Sequence, residues 1–218
     1  TVQNTNRVHK TPNGESYRGT VVPDKDSDNM RLTDFTRQSY FNRLEYRSKS
    51  GLINEMDFTL SWQRMDEDYT RKRSNGERHS HNSFTDNTYG SKLRLQSDLS
   101  WTSLQYGFDY YYDDVRSDGK DYDTNGNITS NNIQGVVADD AKYEQLGIFL
   151  IADTPLDFID NKLSLVLGTR YNYASMDADK VVINGAEGGI DGSWNEWTSS
   201  AHLVYQFTED ISAYAGVS

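Results

Sequence analysis

Residues 143–177 decide the fold, and they read YEQLGIFLIADTPLDFIDNKLSLVLGTRYNYASMD. In the second half of this stretch two sets of side chains alternate: Leu163, Leu165, Leu167, Tyr171 and Tyr173 against Ser164, Gly168, Arg170 and Asn172. A β-strand places successive side chains on opposite faces. The stretch therefore predicts a strand, a short turn and a second strand, with one apolar face and one wet face. A soluble sheet shows this pattern, and so does a wall between lipid and water.

The same alternation recurs on both sides of this hairpin. It is cleanest before Trp62, where large apolar side chains oppose acidic and hydroxyl ones, and no helical period fits. The chain is therefore predicted to be all-β, with about eight strands in four antiparallel hairpins. The predicted strands lie near residues 40–47, 52–63, 89–99, 104–112, 143–153, 163–173, 197–207 and 211–218.

The connections between these strands alternate between short turns and long polar loops. The predicted long loops are 66–88, 113–142 and 177–193. Outer-membrane barrels have this organisation, with tight periplasmic turns and long extracellular loops. Residues 1–33 are polar and are predicted to be an extracellular loop or strand end, and residues 34–218 a partial barrel that is cut at both ends.

On most of the predicted strands, the residue of the apolar face nearest the long loop is aromatic. These aromatic residues are Tyr40, Trp62, Tyr89, Tyr110, Tyr112, Tyr171, Tyr173 and Trp197. Outer-membrane barrels carry such a girdle at the membrane interface. Although aromatics suit any strand, a set at matched depth favours an up-and-down transmembrane β-barrel. The chain would be an open, curved fragment of that barrel.

The composition excludes several other classes of protein. A net charge of −11 argues against a nucleic-acid partner. No apolar run reaches the ~20 residues of a membrane helix, whereas a transmembrane strand needs only ~9–11 alternating residues. The absence of cysteine rules out disulfides and thiolate metal sites. No nucleophile elbow, phosphate-binding loop or dinucleotide motif is present, so no enzyme is predicted.

Four stretches resemble the barrel of TonB-dependent outer-membrane receptors. They are QLGIFLIAD at 145–153, GTRYNY at 168–173, AHLVYQF at 201–207 and ISAYAGVS at 211–218. Their order is similar to the family's order of strand, turn, Gly-x-Arg-Tyr strand end, loop and Tyr-containing strand. The resemblance covers about residues 35–218. It implies a plugged barrel of about 22 strands, of which this chain would supply about a third.

The resemblance also implies a place and a function. The protein would lie in the lipid of the bacterial outer membrane and take up a scarce, bulky nutrient actively. A ferric siderophore is the expected class, with haem or cobalamin as alternatives. The TonB energising complex would act through a plug outside this chain. Two other readings stay open, namely a small passive outer-membrane barrel and a soluble β-sandwich whose apolar faces are buried against each other.

One predicted loop carries candidate ligand-binding side chains. Arg71, Arg73, Arg78, His79 and His81 lie close together in the sequence. The imidazoles could ligate an iron or haem centre, and the cations could attract an anionic iron chelate. A mixed-charge solvated loop would contain the same residue types.

A second loop contains a possible calcium site in 113–142. Asp121, Asp123, Asn125 and Gly126 match the first half of a calcium loop, with oxygen ligands at alternate positions and a glycine for the turn. The twelfth position is Asn132 rather than glutamate. A loop rich in Asp, Asn and Gly also produces this pattern through its turn chemistry. Calcium is the one cofactor that the sequence suggests.

Overall fold

A computed structural model describes residues 2–9, 28–73, 79–156, 162–183 and 186–218. Its regular structure over these residues is entirely β, and none of them forms a helix long and apolar enough to cross a membrane. The strands are β1 (Val2–His9), β2 (Asp28–Arg47), β3 (Glu55–Arg73), β4 (His79–Asp98), β5 (Ser103–Tyr122), β6 (Ile128–Asn132), β7 (Asp139–Leu156), β8 (Leu163–Ile183), β9 (Ala186–Gln206) and β10 (Ser212–Val217).

The strands form one antiparallel sheet in which sequence neighbours are spatial neighbours. The order is β1-β2-β3-β4-β5-β7-β8-β9-β10, and the short β6 pairs with the far end of β5. Over the described residues β1 pairs with β2 alone and β10 with β9 alone. The sheet is therefore open, as predicted for a barrel fragment, and it lacks the closing pair that a small complete barrel requires.

The sheet has no second layer against which to bury its apolar face. In the described part of the chain the only buried hydrophobic side chain is Ala178, whereas Leu150, Leu167 and Trp197 are 43%, 46% and 68% exposed. A β-sandwich would bury these side chains between two sheets. The sandwich reading is therefore wrong, and the apolar face is left for lipid.

The long strands correct the prediction of long irregular loops. β3, β4, β5, β8 and β9 have 19 to 21 residues, about twice the ~9–11 residues that cross a membrane. Most of 66–88, 113–142 and 177–193 is therefore strand that continues past the bilayer. The sequence did not reveal this because a strand in water on both sides needs no apolar alternation, and ladder hydrogen bonds suffice.

Within residues 1–33, predicted as an extracellular loop or strand end, the described residues form strands. Val2–His9 is a strand, and its register pairs it with residues 31–38 of β2, which itself begins at Asp28. The intervening residues 10–27 lie outside the described residues. Both segments are polar, so the periodicity in the sequence gave no signal for them.

Short turns connect the strands at the end of the sheet opposite the long strand extensions. Side-chain hydrogen bonds link neighbouring turns to each other. The Asn54 side chain accepts a hydrogen bond from the Asp98 backbone N–H at 2.7 Å, joining the first two turns. Thr102 donates to the Asp153 carbonyl at 3.0 Å, joining the second turn to the third hairpin. These contacts fix the ends of neighbouring hairpins and so hold the strand register.

Candidate functional site

The register defines two faces of the sheet. We call the side that carries Tyr40, Leu150 and Trp197 the outer face, and the side that carries Asp109 and Arg170 the inner face. Residues that are paired across neighbouring strands lie on the same face of the sheet. Asp109 is opposite Gly147, which is opposite Asn172, so all three are on the inner face. Between the short turns and the aromatic residues the outer face is mostly apolar, and the inner face is mostly polar with a few apolar side chains such as Ile151.

The inner face of this lower half holds an ion pair that spans three strands. Arg170 on β8 reaches over Gly147 on β7 and donates from Nη2 to both carboxylate oxygens of Asp109 on β5, at 2.9 Å each. Its Nε also donates to the Asn172 side chain at 2.6 Å. A Cβ on residue 147 would lie 1.9 Å from Arg170 Nη2, so any larger residue there would displace the guanidinium from this position.

A second charged group occupies the inner face of β2, β3 and β4. Arg43 donates from Nε to Asp57 at 2.9 Å, and Arg94 Nη2 lies 3.7 Å from the same carboxylate. Arg43 also lies 3.0 Å from Glu45. The inner face therefore carries fixed, paired charges that suit contact with water or a polar partner. Contact between these charges and lipid hydrocarbon would be unfavourable.

All eight aromatic residues of the predicted girdle lie on the outer face. Three pairs are in contact across neighbouring strands, with ring centroids 5.6 Å apart for Tyr40–Trp62, 6.3 Å for Tyr89–Tyr112 and 5.1 Å for Tyr171–Trp197. Tyr110 and Tyr173 are both opposite Leu146, on that same side. Their position at a membrane interface stays a prediction, and the geometry agrees with it.

The aromatic row descends across the sheet. Tyr40, Trp62, Tyr89 and Tyr112 follow one line of register, which reaches β9 at Ser193. Trp197 lies four residues closer to the short turns, roughly 13 Å along the strand. The strands of a barrel are tilted against the membrane normal. Aromatic residues that lie at one depth in the membrane therefore occupy shifted register positions on successive strands.

Above the aromatic row the apolar residues change sides. Large apolar side chains now take the parity of the inner face: Phe35, Met65, Tyr69, Phe84, Tyr143, Met176 and Trp194. The outer face at the same level is polar and carries Gln38, Arg64, Asp66, Asn87, Arg116 and Lys142. The sequence shows this inversion as a reversal of parity beyond the aromatic row on β3, β4, β7, β8 and β9.

One irregular segment folds onto this inner apolar wall. Residues 133–138 connect β6 to β7, and the Gly135 N–H donates to the Ser117 hydroxyl at 3.0 Å. Ser117 shares the parity of Asp109 on β5, so the segment lies on the inner face. A Cβ on Gly119 would lie 2.8 Å from the Gln134 carbonyl oxygen, which shows how closely the backbones approach.

Two further contacts fix the segment at its ends. The Gln134 side-chain oxygen accepts a hydrogen bond from the Val182 N–H on β8 at 2.7 Å. The Asp139 carboxylate accepts from the Ser117 N–H at 2.9 Å and from Lys180 Nζ at 2.8 Å. Burial raises the pKa of Asp139, but the hydrogen bonds from Lys180 and Ser117 outweigh it and the net pKa is lowered. The segment is thus held by β5 and β8 together.

The candidate ligand loop lies at the end of the β3–β4 hairpin. His79 and His81 share the parity of Tyr89, so both are on the outer face. His81 contacts the Thr70 hydroxyl at 3.2 Å and the Asp68 carboxylate at 3.4 Å. Arg71 has the parity of the inner face. Arg78 lies outside the described residues, as does the side chain of Arg73. Ligand contact at this loop stays a prediction, which the outward histidines do not favour.

The possible calcium site is the turn between β5 and β6. Asp123 Oδ1 accepts from the Asn125 and Asn127 N–H groups at 2.9 and 2.8 Å, and Oδ2 accepts from the Asn127 side chain at 3.0 Å. Gly126 has φ of 85°, a conformation that favours glycine. The motif is thus accounted for by turn geometry. No set of three acidic or histidine side chains among the described residues is placed to hold a metal, and calcium stays a prediction.

An open antiparallel sheet with an apolar outer face, an aromatic row and a charged inner face is the wall of a transmembrane β-barrel. The family model described as "TonB dependent receptor-like, beta-barrel" matches residues 1–218, and the chain belongs to this family. Barrels of this family lie in the bacterial outer membrane, and so does this chain.

Two solved structures share the fold. The copper transporter OprC aligns over 99% of this chain and 40% of its own length, with a TM-score of 0.64 and 16% identity. The siderophore receptor PiuA from Acinetobacter baumannii aligns over 93% of this chain and 34% of its own, with a TM-score of 0.52 and 17% identity. The chain spans less than half of either protein. No curated protein sequence matched.

Proposed function

We propose that the receptor to which this chain contributes takes up a scarce metal chelate across the outer membrane, most specifically a ferric siderophore. Haem and cobalamin are the other cargoes of comparable bulk. The observation that supports active uptake is the combination of a charged inner face below the aromatic row with long strands above it. Strands that continue past the bilayer extend the inner face outward, which suits contact with a bulky cargo.

The TonB energising complex is the proposed source of energy. This proposal follows from membership of the family, and the inner face gives it a structural counterpart. The paired charges around Asp57 and Asp109 suit a polar domain inside the lumen, because paired and hydrogen-bonded charges are tolerated where partly screened. The two structural neighbours are named for different cargoes, copper and a siderophore, and their likeness is one of fold.

Growth on defined metal sources tests this function. We expect deletion of the gene to abolish growth under iron restriction on one chelate class, with growth on free iron salts unchanged. A plasmid copy should restore it, and loss of TonB should reproduce the defect. A copper-limited culture serves as a parallel arm, because copper is the cargo named for one neighbour. Growth that is unchanged on every iron and copper source would contradict the proposal.

A further inference from the structure

We infer that residues 134–137 form a fixed lip inside the mouth of the barrel, which contacts the apolar part of an uncharged or cationic chelate. The inference rests on the proposed function and deepens it, because it names a contact site and a ligand class. The lip is defined here as Gln134, Gly135, Val136 and Val137.

The lip is on the inner face and cannot swing freely. Its hydrogen bond to Ser117 and the close approach to Gly119 place it on that face, and Gln134 ties it to Val182 of β8. A Cβ on Gly135 would lie 2.5 Å from the Asp118 carbonyl oxygen. Because these contacts fix the segment against both β5 and β8, the lip is preorganised, which lowers the cost of binding.

The lip adds exposed apolar surface to a wall that is already apolar. Val136 and Val137 are 50% and 38% exposed. Closer to the membrane the inner face continues with Tyr143, which is opposite Met176, and with Trp194, which is 54% exposed. Exposed apolar groups on a preorganised segment are typical of binding surfaces.

The charges on this wall decide the class of chelate. Asp113 is directly opposite Tyr143, and Glu196 shares the inner face with Trp194. On the inner face of β8, Lys180 donates to the Asp139 carboxylate and Arg170 donates to the Asp109 carboxylate, so both of these cations are already paired. An anionic chelate would therefore be repelled by the carboxylates of Asp113 and Glu196. An uncharged chelate with an apolar exterior meets the valines and aromatics without that repulsion.

Binding to the full-length receptor in detergent tests the inference. The probes are an uncharged ferric tris-hydroxamate and a triply anionic ferric tris-catecholate, followed by calorimetry. We expect the uncharged chelate to bind at least tenfold more tightly. The double variant Val136→Ser/Val137→Ser should weaken it at least tenfold. Ile128→Ser is the matched control, since Ile128 is 53% exposed on the same hairpin but outside the lip, and it should bind as the parent does.

A second variant separates position from side-chain chemistry. Gln134→Leu keeps both valines and removes the acceptor for the Val182 N–H. The affinity for the uncharged chelate should fall. The variant should still shift its mobility on gels when heated, which shows that the barrel is folded. Unchanged affinity in the double valine variant, or tighter binding of the anionic chelate, would overturn the inference alone. Binding of neither chelate would overturn the assignment of a ferric siderophore in the proposed function, and this inference with it.

Discussion

Arg170 holds Asp109 from two strands away, with Nη2 placed 2.9 Å from each carboxylate oxygen. The strand between them contributes Gly147, whose missing side chain leaves room for the guanidinium. Three strands are thus joined by one side chain on the inner face. Because the sheet has no buried apolar core over the described residues, such cross-strand polar contacts and the backbone ladder stabilise its shape.

Gly147→Ala is expected to destabilise the barrel by displacing Arg170. The new methyl group would occupy the place of Nη2, and the loss of charged hydrogen bonds costs roughly 1–3 kcal/mol. Urea unfolding in lipid vesicles measures the change. In an Arg170→Gln background the same substitution should cost little, because the displaced group is already gone. Gly188→Ala is the control, since nothing lies within 4 Å of its Cβ position. Additive effects of the two substitutions would contradict the assignment.

Two neighbouring residues of β7 provide a test of the faces. Leu150 is on the outer face and Ile151 on the inner face, with similar exposures of 43% and 38%. Leu150→Arg should destabilise the barrel by roughly 2–4 kcal/mol, the cost of a cation facing the bilayer midplane. Ile151→Arg should cost much less, because it meets water or polar groups. The measurement is again unfolding in vesicles, and equal costs at the two positions would rule out the assigned faces.

The stack between Tyr40 and Trp62 should carry a measurable coupling energy. Their centroids are 5.6 Å apart, and aromatic pairs contribute roughly 0.5–1.5 kcal/mol beyond burial. A double-mutant cycle with Tyr40→Leu and Trp62→Leu should show a coupling of that size. A cycle that combines Tyr40→Leu with Tyr171→Leu joins residues that are not neighbours and should show none. No coupling in the first cycle would mean that the stack does not form.

The turn at Asp123 should lose its order in acid. The Asn127 side chain, and then the backbone N–H groups of the turn, hold the pKa of Asp123 below its ordinary value of 3.8. The carboxylate therefore stabilises the turn fully above that ordinary value, and the stabilisation is lost as the pH falls through the lowered pKa.

Hydrogen exchange at the Asn125 and Asn127 amides reports this transition. Protection, corrected for the intrinsic rate, should be constant at neutral pH and fall in acid. Asp123→Asn keeps an acceptor oxygen but has no titration, so its protection should not depend on pH. A parent protein whose protection is the same at pH 7 and in acid would show that Asp123 does not hold the turn.

The sequence revealed the part of the fold that meets lipid, and little of the part that meets water. Alternation around Leu163 predicted the hairpins correctly, because lipid on one side imposes a strict period. Beyond the aromatic row both faces of each strand meet water. Residues 66–73 and 114–122 therefore did not need an apolar outer face that alternates with a polar inner face. The prediction of loops there is therefore wrong, although the parity of the apolar residues does reverse at Tyr143 and Met176.

The candidate site was less predictable for two physical reasons. Asp123 and Gly126 match a calcium loop and a tight turn equally well, since both need a carboxylate and a glycine with positive φ. The outward direction of His81 depends on its register with Thr70, which is a property of the sheet rather than of the loop. The lip at Gly135 depends on contacts between residues far apart in the sequence, and no local pattern encodes them.

The most direct test of the account concerns Trp197 and Trp194, which lie three positions apart on β9 and face opposite sides. Two full-length receptors are placed in vesicles with brominated acyl chains. Each keeps one of these two tryptophans and carries Phe at every other tryptophan of the receptor, which within this chain means Trp62, Trp101 and the other member of the pair. We predict strong fluorescence quenching for Trp197 and little for Trp194, with the reverse order for aqueous iodide. Equal quenching of the two by brominated lipid, or stronger quenching of Trp194, would contradict the claim that the apolar side of this sheet faces the membrane.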